Sequence, residues 1–375
     1  MTKRLRVGVV GTGIIAQVMH LHYLGELADR FELAAVCDIV GDNARACAQR
    51  YRVPAAFSDW RELIRQPLDA VLVLTSGSHA PIAIAAAQAG LHVLVEKPMC
   101  FSVTEGLTMV AAAEQAGVTL MVAYPKRYDA AFARFRQEAA AVENPRLLRV
   151  TTLESPLQPY IAHYRLPAPA PVPAEVAERL RDGIDTSIRS AIGDADDLER
   201  HTYHLVLLDT LVHELNTVRG LFGEPDRLDY VDVREHSLTA MLRFGELPVA
   251  IHWLDLPGIA RYQMEFALYA PDRRVSLSFP SPFLRSEPAI LTIEGGDHTT
   301  ASSWRTEETV SYESAFKREL AAFHDCVTNG TKPVTSGRDG LADVALCQAI
   351  IECHRSGRPV HNPAGPAMRQ AAVAG

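Results

Sequence analysis

The stretch Leu5-Arg6-Val7-Gly8-Val9-Val10-Gly11-Thr12-Gly13-Ile14-Ile15-Ala16 constrains the fold of this chain most, because it passes from a short apolar strand through a glycine turn into a helix. Gly11 permits a tight turn, Gly13 lets a pyrophosphate approach the backbone, and Ala16 is small enough for helix and strand to pack closely. Free N–H groups and the positive end of the dipole at the helix N-terminus attract that anion. Such a fingerprint alone also describes a plain strand–helix turn. The strand Glu32 to Asp38, however, ends in an acid about 20 residues beyond it, as a nucleotide-binding β-α-β unit requires. Asp38 would accept hydrogen bonds from ribose hydroxyls and repel a 2′-phosphate, and no basic residue follows before Arg45, so NAD is expected over NADP. A strand-end cap is the alternative role for Asp38.

The β-α-β rhythm continues. Helices over Ile14–Ala28, Asn43–Tyr51, Trp60–Arg65, His79–Ala89 and Val103–Ala116 alternate with further strands. Asp69-Ala70-Val71-Leu72-Val73-Leu74-Thr75 is an apolar run of the kind that parallel strands show when buried on both faces. An α/β fold is expected, with an N-terminal Rossmann doubly wound parallel sheet over residues 1–125. From Arg127 the pattern changes to short β-rich segments: Arg146–Glu154, Leu228–Arg234, Leu238–Phe244, Pro248–Leu254, Gln263–Tyr269, Val275–Phe279 and Ile290–Glu294. They predict a C-terminal α+β domain, residues 126–361, with an open, mostly antiparallel sheet. Amphipathic helices around Phe316–Val327 and Leu341–Ile351 would pack back on the nucleotide domain, and residues 362–375 are expected to be a disordered tail. Gln158–Arg200, with its prolines at 167 to 173, reads as an irregular insertion.

A net charge of −8 argues against a nucleic-acid partner, and no apolar run is long enough to span a membrane. Six cysteines without a C-x-x-C pair point to a reduced, cytoplasmic protein. The fourteen histidines show no zinc-ligand spacing, so no metal is expected.

Strands ending near Thr75, Glu96 and Tyr124 present their C-terminal residues on the side where such sheets bind ligands, which puts Glu96-Lys97-Pro98 over the cofactor groove. Leu205, Leu208, Leu211, Val212, Leu215, Val218 and Phe222 recur at helical spacing between His201 and Gly223. Asp209 and His213, four residues apart on that helix, share a face, where a carboxylate can orient an imidazole; a surface or capping contact is the alternative role for such a pair.

The fingerprint Gly11-Thr12-Gly13-Ile14-Ile15-Ala16, His79 in the third β-α loop, Gly90-Leu91-His92-Val93-Leu94-Val95-Glu96-Lys97-Pro98 and Asp209-x-x-x-His213 follow one another as in the glucose–fructose oxidoreductase / inositol dehydrogenase (Gfo/Idh/MocA) family. The chain resembles that family over nearly its whole length. The resemblance implies NAD(P)-dependent hydride transfer to or from a secondary alcohol or ketone of a sugar, nucleotide-linked sugar or cyclitol. It implies a cis Lys97–Pro98 bond, catalysis by Lys97, Asp209 and His213, and a homodimer or homotetramer built on the second domain's sheet. Cofactor contacts would come from Gly11, Thr12, Gly13, Ile14, Ile15, Asp38, Thr75, His79, Glu96 and Lys97. Substrate contacts would come from Lys97, Arg127, Tyr164, Asp209 and His213, with His163 and Arg165 as further candidates and a hinge as the alternative role for Arg127. The chain departs from the family pattern in having His204-Leu205-Val206-Leu207-Leu208 where glycines are usual, and Asn216 where an acid is common; both bear on the substrate. Reduction of an imine, enone or tetrapyrrole on the same scaffold, and a non-catalytic dinucleotide-binding regulatory role, are the alternatives.

Overall fold

Six short apolar runs near the N-terminus become the strands of one parallel sheet: β1 (Leu5–Val10), β2 (Phe31–Cys37), β3 (Ala55–Phe57), β4 (Ala70–Val73), β5 (His92–Glu96) and β6 (Leu120–Ala123). The computed structural model describes residues 3–167, 169–297 and 299–362. Strand order is β3-β2-β1-β4-β5-β6, all pairs parallel. β4 and β6 are buried along their whole length, as parallel strands covered on both faces must be. The order reverses between β1 and β4, so the ligand crevice of such a sheet lies outside the carboxyl ends of these two strands.

The connecting helices are α1 (Leu21–Glu26), α2 (Gly41–Tyr51), α3 (Trp60–Leu63), α4 (Ala80–Gln88) and α5 (Val103–Ala116). α5 begins with a capping box, in which the Ser102 hydroxyl accepts from the Glu105 N–H and Glu105 accepts from the Ser102 N–H. The first helix is not uniformly α: Ala16–His20 is a π-helical turn and Leu21–Glu26 continues it as α-helix. Apolar periodicity does not separate the two windings, which is why the sequence suggested one helix over Ile14–Ala28.

After a 3₁₀ turn (Pro125–Tyr128) and α6 (Ala130–Ala140), a second sheet is assembled from β7 (Leu147–Glu154), β8 (Arg227–Arg234), β9 (Ser237–Phe244), β10 (Leu247–Asp255), β11 (Gln263–Tyr269), β12 (Arg273–Phe279), β13 (Ile290–Asp297), β14 (Ser302–Thr309) and β15 (Val360–His361). Its order is β14-β13-β12-β11-β7-β10-β9-β8-β15, and β7 with β10 is the parallel pair in it. β7 shows the alternation of a sheet covered on one face, with Leu148, Val150 and Thr152 buried. β14 is exposed along most of its length and carries no alternating apolar signal, which kept it out of the sequence reading.

The remaining helices are α7 (Gln158–Ile161), α8 (Ala174–Ile192), α9 (Asp197–His201), α10 (Val212–Phe222), α11 (Ala315–Asn329) and α12 (Gly337–Ser356). α8 corrects the irregular reading of Gln158–Arg200: the proline run ends at Pro173, the N-cap, and the next 19 residues form a helix in which only Ile188 and Ile192 are buried. A ten-residue π-helical segment, Thr202–Leu211, joins α9 to α10.

Two compact units emerge. The first comprises Met1–Pro125, Tyr164–Asp194 and Phe316–Val344; the second comprises Lys126–His163, Ala195–Ala315 and Ala345–Gly375. Within the first, the segment before α12 is stitched to β6, where the Thr335 hydroxyl donates to the Val122 carbonyl (2.7 Å) and the Val122 N–H donates to the Thr335 carbonyl (2.8 Å). Asn362 is buried and donates its side-chain amide to the Pro225 carbonyl (3.1 Å), so the expected disordered tail does not begin there; its other residues, 363–375, lie outside the described residues. All six cysteines are free and buried, and burial pushes the Cys37 and Cys47 thiols up to about 12. No helix among the described residues is long and apolar enough to cross a membrane.

Phe266 on β11 is fully buried against Phe279, ring centroids 6.0 Å apart. Phe266→Ala is expected to lower stability by about 3–5 kcal/mol. Urea unfolding followed by circular dichroism reads this, and an unchanged midpoint would show that this side chain is not part of the sheet's core.

Candidate active site

Gly11 sits at the end of β1 with φ +96°, and a Cβ placed there would lie 2.6 Å from the backbone carbonyl of Leu74, at the end of β4. Only glycine lets the two strand ends close to this distance. Gly13, one turn on, is exposed, and a Cβ built on it meets nothing within 4 Å. Beyond it the orphan N–H groups at the start of the π segment face outward, with Ile14 40% exposed and Ile15 half-buried. Ala16 is fully buried, filling the small-residue slot. An open glycine backbone, a helix start and an acid on the neighbouring strand fit the pyrophosphate and adenosine ribose of NAD.

Asp38 follows β2 and is half-buried. One carboxylate oxygen accepts from the Thr12 N–H (3.0 Å) and hydroxyl (2.7 Å), the other from the Val40 N–H (3.0 Å). Both donors of Thr12 are therefore engaged by Asp38, and Thr12 holds the acid in place. With four lone-pair positions and three donors, Asp38 keeps acceptor capacity for a ribose hydroxyl.

At the end of β5 the same pattern repeats. Glu96 is buried; one oxygen meets His20 Nε2 at 2.7 Å, and the other accepts the Lys97 N–H at 3.0 Å. Burial works against ionisation of Glu96, but the hydrogen bond and charge of His20, with lesser help from Lys97 and His79, hold it below the usual carboxylate range. His79 is also buried, with Nδ1 2.8 Å from the Pro98 carbonyl and Nε2 2.7 Å from the Thr75 carbonyl. Desolvation pulls its pKa down against the pull of those two carbonyls. His79 thus ties the loops after β4 and β5 together, and Glu96 ties the start of the loop after β5 to His20 in the first helix. Thr75, whose carbonyl is engaged by His79, and Lys97 are half-buried, and the Lys97–Pro98 bond is cis.

The Tyr164–Asp194 excursion belongs to this unit and runs across the same edge. The Ala170 N–H donates to Asn43 at the start of α2 (2.8 Å), Ile184 comes within 4.0 Å of the Cβ position of Gly77 in the loop after β4, and the Ser187 hydroxyl donates to Glu105 at the start of α5 (3.0 Å). Tyr164, half-buried, opens the excursion; His163 and Arg165 beside it are exposed.

In the second unit, Asp209 is exposed near the end of the π segment and His213 is half-buried in the first turn of α10. π turns inside helices often mark functional sites, and apolar spacing does not reveal this one because it also suits an α-helix. Arg127 donates to the backbone and side-chain carbonyl oxygens of Asn216 (3.1 and 3.2 Å), and a Cβ on Gly220 would collide with it at 2.4 Å. Through Nη1, Arg127 clamps α10, with the fully buried Asn216 as its partner there. Glu214 went unnoticed in the sequence. It is fully buried, accepts from the Thr152 hydroxyl of β7, and is pushed up to about 7 by burial and by Glu154, against the opposing pull of Lys126 and Thr152. Its signal in the sequence was only a charge on the apolar face of a helix. A concavity of about 730 Å³ lined by Asn144, Arg146, Phe244, Leu247 and Pro271 includes none of these residues. No group of three or more His, Cys, Asp or Glu able to hold a metal occurs among the described residues.

Residues 5–124 match the GFO_IDH_MocA family model, described as an oxidoreductase family with an NAD-binding Rossmann fold. A myo-inositol 2-dehydrogenase of Thermotoga maritima is 26% identical over 354 residues, covering 91% of this chain and 94% of its own. D-apiose dehydrogenase of Paraburkholderia graminis is 25% identical over 379 residues, covering 96% and 90%. A levoglucosan dehydrogenase solved in complex with NADH shares the fold, with a TM-score of 0.75 at 18% identity over 96% of this chain and 100% of that one.

Two outcomes are expected. Gly13→Ala should fold normally yet bind NADH at least about tenfold more weakly, some 1.4 kcal/mol, in a fluorescence titration; unchanged affinity would remove Gly13 from the cradle. For Glu214, the folded pKa near 7 lies above the ordinary 4.5, so its stabilising contribution is complete below the ordinary value and is lost as pH rises through about 7. Glu214→Gln should therefore gain on the wild type by about 2–3 kcal/mol between pH 5 and pH 8, read from paired thermal melts; a pH-independent difference would contradict a buried neutral acid.

Proposed function

We propose, from the match of residues 5–124 to the Gfo/Idh/MocA oxidoreductase family model with its NAD-binding Rossmann fold, that this chain oxidises a secondary alcohol, or reduces the matching ketone, of a sugar, nucleotide-linked sugar or cyclitol. The observation that carries the reading is Lys97: a half-buried amine just past the end of β5, beside the crevice, its backbone N–H anchored by a buried carboxylate. Names of relatives covered over nine-tenths of their length, myo-inositol 2-dehydrogenase and D-apiose dehydrogenase, support a polyol or sugar.

Bound NAD supplies the hydride acceptor. The chain's part is to hold the substrate and move a proton. Asp38 takes the adenosine ribose, and its charge disfavours a 2′-phosphate. Lys97 hydrogen-bonds the reacting oxygen, and His213 accepts the hydroxyl proton during oxidation or returns it during reduction. Asp209, one turn earlier on the same helical stretch, orients the imidazole and binds a neighbouring hydroxyl. Tyr164 is a further substrate contact in this reading. Free, buried thiols support a cytoplasmic location, and the open face of the second sheet, where Tyr230 is 56% exposed, is the surface for a homodimer or homotetramer.

A spectrophotometric screen of cyclitols and aldoses with NAD tests the activity. On the substrate it identifies, Lys97→Ala and His213→Ala should each lower kcat/KM by about 10²–10⁴-fold while NADH titration stays near wild type. Near wild-type turnover in both variants would refute the assignment.

A further inference from the structure

Behind Lys97 lies a polar cluster of which the hydride-transfer reading uses only Glu96. Glu319 on α11 is fully buried, and neither carboxyl oxygen has a hydrogen-bond partner. Phe316, one turn earlier on the same face of α11, packs edge-on against the His20 ring, centroids 5.7 Å apart. That face therefore looks at the His20–Glu96 pair, and Glu96 lies close enough to Glu319 for their charges to repel. The other titratable groups acting on the cluster are Lys97 and His79, whose charges act on Glu96; His79 has both ring nitrogens taken by carbonyls. Tyr124, at the end of β6, turns its backbone N–H toward Glu319.

A buried carboxylate without donors is costly, and a second one beside it more so. Two carboxyls in one dry pocket settle this by keeping a proton on one of them. Glu96 holds both His20 and the Lys97 N–H, whereas Glu319 is approached only by the Tyr124 N–H, so the proton stays on Glu319. We propose that Glu319 is a positioning residue for the proposed reaction: an uncharged acid beneath Glu96 that leaves Glu96 as the single anion of the cluster, free to pair with His20 and to anchor the Lys97 backbone. Burial and Glu96 raise its pKa well above the ordinary carboxyl value. When Glu319 ionises at high pH, two anions compete for His20 and draw the Lys97 ammonium toward the cluster, away from substrate. The role presupposes the function proposed for Lys97.

Infrared-monitored titration of the whole protein tests the charge state without any substrate. The wild type should retain, above the pH near 7 at which Glu214 loses its proton, a protonated-carboxyl stretch that disappears in Glu319→Gln. In Glu96→Gln, with the neighbouring charge gone, the same band should titrate at lower pH. A wild-type band indistinguishable from that of Glu319→Gln, or one unmoved in Glu96→Gln, would overturn the proposal even if Lys97 proves essential. On an identified substrate, Glu319→Gln should keep the wild-type kcat at neutral pH and extend the alkaline limb of kcat/KM by about one pH unit. An unaltered limb would reduce Glu319 to a packing role. Should Lys97→Ala stay active while the infrared results hold, the reading of Lys97 fails and the neutral acid stands.

Discussion

Gly11 meets the end of β4 more closely than any side chain would permit, and the rest of the first unit is arranged around that approach. The turn out of β1 must double back against Leu74 and Thr75, which fixes where the first helix starts and therefore where its unpaired N–H groups point. Because strand order reverses at this junction, no connecting helix covers it, and the backbone of the glycine turn stays open while everything around it is packed. A binding crevice is the geometric residue of two parallel strands whose connections leave in opposite directions.

Around the crevice, side chains expected to touch ligand are largely engaged with one another. Thr12 spends its donors on Asp38, His79 bridges the carbonyls of Thr75 and Pro98, and Glu96 holds His20 and the Lys97 N–H. Contacts of this kind fix the direction of Asp38 and of the Lys97 backbone. Arg127 does the same in the second unit, where its guanidinium holds Asn216 and occupies the space that a side chain at Gly220 would need. Preorganisation of this sort lowers the cost of ordering the site when ligand arrives.

Much of this was legible in the residues. Val71-Leu72-Val73 and Val93-Leu94-Val95 could be read as two-sided strands because continuous apolar runs of that length have few other uses, and the expected helix Val103–Ala116 has those bounds in the structure, where a Ser102/Glu105 capping box starts it. What escaped was either locally weak or non-local. α8 buries only two side chains, so its helix rests on composition after a proline run, and β14 has no buried face to betray it. The π windings at Ala16–His20 and Thr202–Leu211 change the hydrogen-bond partner by one residue while leaving apolar spacing nearly untouched. The His20–Glu96 pair joins positions 76 apart, and Glu319 lies farther still along the chain. One-dimensional spacing has no access to such partners.

The first unit is not a contiguous piece of chain. Its sheet is written by residue 125, yet β6 takes hydrogen bonds from Thr335, and Gly337 and Gly340 lie against Leu120 and Val122. During synthesis the six strands exist for more than two hundred residues before the segment that seals their last edge leaves the ribosome. The nucleotide-binding half is begun first and finished late, so the order in which the chain is made is not the order in which its units close.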